Sequence, residues 1–312
     1  MTSEFTGKKT ACVVGGTGFV ASLLIKQLLL KGYAVNTTVR DPDNQKKVSH
    51  LIALQELGEL KIFGADLTDE GSFDVPVVGC DIVFHVATPV NFASQDPEND
   101  MIKPAIKGVL NVLKACVKAK SVKRVILTSS AAAVTEKPPT WGYPLSKTLA
   151  EKEAWKFAQE NNIDLITVIP SLMTGPALTP DVPSCIGLAT SLITGNEFLI
   201  NAIKGMQMLS GSISIAHVED VCRAHIFVAE KESASGRYIC AAVNTSVPEL
   251  AKFLNKRYPQ YEIPTDFGDF PSKAKLTLSS EKLISEGFSF KYGIEEIFDQ
   301  TVEYLKTKEI LK

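Results

Sequence analysis

The segment Thr10 to Leu30, TACVVGGTGFVASLLIKQLLL, limits what this chain can fold into more than any other stretch. A short apolar run, Ala11 to Val14, breaks into Gly15-Gly16-Thr17-Gly18, and a periodic apolar segment then runs from Phe19 to Leu30. Strand, glycine turn and helix in that order form the first βα unit of a dinucleotide-binding fold. Gly15 permits the tight turn, Gly18 lets the backbone come close to a pyrophosphate, and Ala21 takes the third small position. The first turn of the helix offers free N–H groups and its positive dipole end to the phosphates.

The same rhythm continues along the chain. Ala34–Val39, Leu60–Phe63, Asp81–Val86, Arg124–Thr128 and Leu165–Ile169 read as strands, and helical segments separate several of them, Asn99–Ala119 and Tyr143–Asn161 being the clearest. Alternation of this kind predicts an α/β fold, a Rossmann-type doubly wound parallel sheet whose ligands sit at the carboxyl edge. Arg40 closes the second strand where an NAD enzyme would carry an acidic residue, with Lys46 and Lys47 at the next helix start. A cation there pairs with a 2′-phosphate, so NADPH is the expected cofactor. Asp66, just past the third strand, is placed to bind the adenine amino group. The small residues after the fourth strand, Ala87-Thr88-Pro89, suit a backbone passing close to ribose. His85, inside an apolar run, is expected to be a buried, hydrogen-bonded histidine.

Beyond Pro170 the rhythm changes. Gly175 to Ser184 contains three prolines, and the tail from Val247 to Lys312 holds two amphipathic helices around the aromatic segment Tyr258–Phe270. The expected division is a cofactor domain over 1–174, with 212–242 returning to it, and a substrate lobe formed by 175–211 and 243–312. Met206 and Met208 would either touch a flat ligand or fill that lobe. His217, in an HVED run, is expected to orient a loop; His50 and His225 show no partner pattern for a metal or a triad.

Composition narrows the function class. A net charge of −2 gives no reason to expect a nucleic-acid partner, and a hydrophobic fraction of 45% is enough for a sizeable core. Ala177 to Ile193 is nearly uncharged, but Pro180, Asp181 and Pro183 interrupt it, so no membrane span is expected. The start, MTSEFTGKKT, lacks an apolar core of the signal-peptide kind. Six cysteines without CxxC or metal spacing predict no bound metal and a reduced, cytoplasmic compartment.

Tyr143 and Lys147 stand four apart, so a helix projects both from one face, and Ser130 ends the strand before it. Hydride delivery to a carbonyl builds negative charge on oxygen, which must be protonated. A tyrosine is a poor acid at its ordinary pKa of ~10, but a neighbouring ammonium lowers that value. Lys147 would do this and bind the nicotinamide ribose, while Ser130 would hold the substrate oxygen.

In VVGGTGFVAS, TTVRDP, ADLTD, FHVATPV, ILTSSAAAV, GYPLSKTLAE and HVEDVCRAH the chain resembles the extended short-chain dehydrogenase/reductase family over almost its whole length. Within it, KPPTWGYPLSKTLAEKEAWKFA and GNEFLINAIKGMQMLSGSISIAHVEDV are similar to the plant dihydroflavonol reductase group. The resemblance implies an NADPH enzyme of flavonoid biosynthesis that reduces anthocyanidins to flavan-3-ols. It implies that Thr17, Gly18, Phe19, Val20, Arg40 and Lys47 meet the phosphates and Asp66 the adenine. Val86, Ala87, Thr88 and Pro89 would meet the ribose region, and Ser130, Tyr143 and Lys147 would carry the chemistry. Pro170 and the residues after it, Ser184 among them, would line the nicotinamide and substrate side.

Two departures from the group stand out. Dihydroflavonol reductases commonly have Asn five residues after the catalytic Ser, where it binds B-ring hydroxyls; here Thr135 occupies that position. Only twelve residues separate Ser130 from Tyr143, where relatives carry a longer insertion, so a further active-site segment after Thr135 is expected. The rival readings are dihydroflavonol 4-reductase or another NADPH carbonyl reductase, a nucleotide-sugar epimerase of the same fold, and a non-catalytic NADP sensor. Arg40 counts against the epimerase, and the Tyr143/Lys147 pair against the sensor. Stereochemistry and oligomeric state are not written in these motifs.

Overall fold

Strands rich in Val, Ile and Thr, buried on both faces, form the centre of the molecule, as a sheet sandwiched between helices requires. The computed structural model describes residues 8–90, 94–135 and 142–312. Its strands are β1 (Thr10–Val14), β2 (Ala34–Val39), β3 (Leu60–Gly64), β4 (Ile82–His85), β5 (Arg124–Thr128), β6 (Leu165–Pro170), β7 (Leu172–Thr174), β8 (Ile213–His217), β9 (Gly236–Cys240) and β10 (Val243–Thr245). Seven make one parallel sheet in the order β3-β2-β1-β4-β5-β6-β9, with the strand order reversing at β1. That reversal opens the crevice in which such sheets hold their ligands.

Helices Phe19–Leu30, Gln45–Leu54 and Val218–Glu230 cover one face of the sheet, burying Leu24, Leu28, Leu51 and Val221. Lys103–Ala119 and Tyr143–Glu160 cover the other, with Val109, Val112, Leu113 and Ala154 in its core. A third core, around Ile203, Ile215, Leu250, Phe298 and Leu305, belongs to the C-terminal elements. Phe19, the first residue of the opening helix, packs against both the first and the third of these cores.

The expected return of 212–242 to the main sheet needs correcting. Helix Val218–Glu230 and β9 do return, β9 pairing with β6. β8 instead forms a separate three-stranded sheet, parallel to β7 and antiparallel to β10. Its partners are three-residue strands, too short to show a period of their own, so the sequence reveals the strand but not its sheet. The tail likewise holds a short third helix, Glu281–Ser285, between Val247–Arg257 and Ile294–Thr307.

The HVED run joins the two parts. The His217 side chain caps helix Val218–Glu230, its Nδ1 accepting from Glu219 N at 3.2 Å, and its ring lies 4.0 Å from that of Tyr292. Asp220, fully buried, pairs with Arg223 and accepts the backbone N–H groups of Lys291 and Tyr292 at 3.0 to 3.1 Å.

Candidate active site

At the switch point, Gly15 N and Gly16 N donate to the Thr38 carbonyl at 3.1 and 2.9 Å, and Gly18 N closes a turn on Gly15 O at 2.9 Å. Gly15 has φ +90, and a Cβ built on it would lie 2.7 Å from that of Ala87. Ala87, two residues past β4, therefore presses on the loop, held there by its N–H donating to Val14 O at 3.0 Å. Gly16, which the motif left without a role, is tighter still: its Cβ would lie 2.3 Å from Thr37 Oγ1. The first intrahelical bond is Ser22 N to Gly18 O at 2.9 Å, so the N–H groups of Phe19, Val20 and Ala21 come before the ladder begins. Thr17 and Phe19 are half-buried beside this loop, and Val20 is buried.

Arg40 and Lys47 are exposed, and neither forms an ion pair among the described residues. Lys46 instead meets Asp181 at 3.5 Å. Asp66 accepts from Thr68 Oγ1 and N at 2.6 and 2.8 Å; those bonds, and to a lesser degree Arg40, hold its carboxyl below the usual range. A glycine cradle, free helix N–H groups and an uncommitted cation opposite Asp66 fit the pyrophosphate, 2′-phosphate and adenosine of NADPH. Val86, Thr88 and Pro89, half-buried, continue the wall beyond Ala87.

Three consecutive residues at the end of β5 meet three successive turns of helix Tyr143–Glu160. Ser130 hydrogen-bonds the Tyr143 phenol. Lys147 Nζ donates to Thr128 O at 2.7 Å, and Ser129 Oγ donates to Glu151 Oε2 at 2.6 Å. The other side of Thr128 is fixed by His225: its Nδ1 donates to Val221 O at 2.7 Å, leaving Nε2 to accept from Thr128 Oγ1 at 2.8 Å.

The expected electrostatics of Tyr143 need correcting. Burial holds the phenol above its ordinary pKa, and the Ser130 bond pulls it only partway back. Lys147 turns to a main-chain carbonyl, and burial pushes its own pKa down to about 8, against which Glu151 acts. His85 is buried as expected, but its Nδ1 has no hydrogen-bond partner among the described residues. Burial, and then Lys147, push its pKa down to about 3, so it stays neutral.

On the substrate side, Pro170 is buried and its carbonyl accepts Ala131 N at 2.9 Å. Thr135 spends its hydroxyl on Ala131 O at 3.0 Å. Ser184 opens helix Ser184–Ala189 and is exposed. Met206 packs into the small lobe, whereas Met208 is exposed. The place at which a further segment is expected, after Thr135, adjoins residues 136–141, which lie outside the described residues. Sequence reasoning missed Gly16 and Glu151; of the two, Glu151 left a signal, a third position at the same four-residue spacing as Tyr143 and Lys147.

Comparison with known proteins agrees with the fold. Residues 11–241 match the model of the NAD dependent epimerase/dehydratase family. An anthocyanidin reductase ((2S)-flavan-3-ol-forming) of Vitis vinifera is 77% identical, over 98% of each chain. That alignment spans 330 positions, 18 more than the 312 residues here, so at least 18 positions of the relative have no counterpart. A dihydroflavonol 4-reductase of Arabidopsis thaliana is 42% identical, over 97% of this chain and 84% of that one. Among solved structures, vestitone reductase from alfalfa (Medicago sativa) superposes with a TM-score of 0.81 at 34% identity, covering 97% of this chain and 100% of that one. Yeast methylglyoxal/isovaleraldehyde reductase Gre2, solved with NADPH, gives 0.78 at 27% identity over the same shares. The chain belongs to the NAD dependent epimerase/dehydratase family, in the branch that holds the anthocyanidin and dihydroflavonol 4-reductases.

Proposed function

We propose that this chain catalyses the NADPH-dependent reduction of anthocyanidins to flavan-3-ols. The observation that carries the substrate assignment is the 77% identity with an anthocyanidin reductase over 98% of each chain, against 42% with a dihydroflavonol 4-reductase. Thr135 supports it, since its hydroxyl is bonded within its own short helix and carries no amide for B-ring hydroxyls.

Arg40 and Lys47 bind the 2′-phosphate, the N–H groups of Phe19 to Ala21 take the pyrophosphate, and Asp66 takes the adenine amino group. Bound NADPH supplies hydride. Tyr143 supplies the proton: its raised pKa keeps the phenol protonated at neutral pH, ready to donate as charge builds on the substrate. Ser130 holds the substrate oxygen against that phenol, and Lys147 orients the nicotinamide ribose. Conversion of a flavylium cation to a flavan-3-ol takes up two hydrides and one proton, so the acid is needed once per product. The small lobe closes over the sheet edge and keeps water from the site.

Among the described residues no helix is long and apolar enough to cross a membrane. The six cysteines are all free, five of them buried, which supports a reducing compartment such as the cytoplasm.

The test is NADPH oxidation with cyanidin and, separately, dihydroquercetin, with product analysis. Consumption with cyanidin and formation of a flavan-3-ol is expected. Consumption with dihydroquercetin alone would move the chain to the sister activity.

A further inference from the structure

Glu151 is a carboxylate that the reduction itself does not require. It stands one helical turn past Lys147, as Lys147 stands one turn past Tyr143, and is only 5% exposed. A buried carboxylate is unfavourable unless charged or hydrogen-bonding partners surround it. Glu151 has both kinds: Ser129 Oγ donates to Oε2 at 2.6 Å, and Arg237 Nε donates to Oε1 at 2.6 Å. Arg237 reaches in from β9, on the far side of β6, while about half of its side chain stays in solvent.

The surroundings of Lys147 give this arrangement its meaning. The groups that act on the ammonium are Glu151 from its own helix, His85 from β4 and the Thr128 carbonyl from β5, with Tyr143 one helical turn before it. His85 and the phenol are neutral, so Glu151 supplies the negative charge, and Arg237 fixes that charge from behind. Ser129, held by the same carboxylate, lies between the residues that meet Lys147 and Tyr143.

We propose that Glu151 is a positioning residue, the counter-ion that holds Lys147 in its charged form and clamps Ser129 so that Ser130 faces Tyr143. This rests on the reading that Lys147 works as an ammonium beside the acid Tyr143. Arg237 is then the anchor that pairs with the carboxylate and holds it in a buried place.

The test is the pH profile of kcat/KM for cyanidin between about pH 6 and 10, where a lysine lowered by burial titrates. It is measured for the intact enzyme, Glu151→Gln and Arg237→Gln, with thermal unfolding recorded for each. In Glu151→Gln the alkaline limb should move towards acid by about one pH unit, the effect of losing one close opposite charge. Arg237→Gln should also displace the limb, but should have no further effect in a Glu151→Gln background. A limb that stays in place in Glu151→Gln, or a loss that is uniform across pH and tracks a lower melting temperature, would overturn the proposal. If Glu151→Gln does not fold, Arg237→Gln decides alone, and an unmoved limb overturns it. Tyr143→Phe, run alongside, separates the two readings: retained turnover there removes the parent mechanism rather than the counter-ion.

Discussion

Lys147 donates to the carbonyl of Thr128 at 2.7 Å from a site where only 6% of the residue is exposed. Burial sets its pKa at about 8, below the ordinary 10.5. Between those values the unfolded chain binds more protons than the folded one, so this group makes stability rise with pH across that window. Below about pH 8 both states carry the charge, and the burial penalty is complete. Relative to Lys147→Met, the intact protein should therefore gain on the order of 3 kcal/mol as pH rises from about 8 to 10.5. Urea unfolding at both ends of the window checks this; a constant difference would mean that Lys147 is not buried as an ammonium.

Tyr143→Phe should lower turnover by ~10²–10⁴-fold, the usual contribution of a general acid. NADPH affinity, measured by fluorescence titration, should stay within a few-fold, because the phosphates are held by other residues. Turnover close to that of the intact enzyme would remove Tyr143 from its role.

Arg40→Asp should reverse cofactor preference. One charge-assisted contact to a 2′-phosphate is lost, and a repulsion replaces it, so NADPH selectivity over NADH should fall by about ten- to a hundredfold. Unchanged selectivity would move 2′-phosphate recognition to Lys47.

Asp220→Ala should cut the tie between helix Val218–Glu230 and the segment at Lys291–Tyr292, leaving Arg223 and two backbone N–H groups without their acceptor. Removal of one member of a buried ionic cluster costs about 3–5 kcal/mol. Denaturant unfolding should show that loss; a change below about 1 kcal/mol would mean that water replaces the carboxylate.

Intact mass should exceed the 33.8 kDa of this sequence if the native protein carries the active-site segment expected between Thr135 and Tyr143. The alignment with the relative spans at least 18 positions more than this sequence has. A mass of 33.8 kDa would show that the short connection is native.

Most of the cofactor half was legible because its signals are local. Glycine spacing, alternating strand and helix periods, and the helical offset of Tyr143 and Lys147 all lie within a few residues of one another. Glu151 shares that offset and was still missed, because a glutamate on a helix reads as solvent-facing until its partners are known. One of them, Arg237, is 86 residues away. β8 was visible as a strand and misassigned in space, since strand pairing is decided by tertiary contacts that leave no local pattern.

The three rungs between Thr128–Ser130 and Tyr143, Lys147 and Glu151 have a consequence for how such a fold diversifies. Tyr143 is held at its depth by these bonds to the strand end, and not by the length of chain that leads to it. A one-turn slip of the helix would break all three rungs together, so its alignment is set independently of the connection. That connection is then free to lengthen, shorten or change composition without displacing the acid. Natural variation can reshape that stretch of sequence while the three rungs are inherited intact.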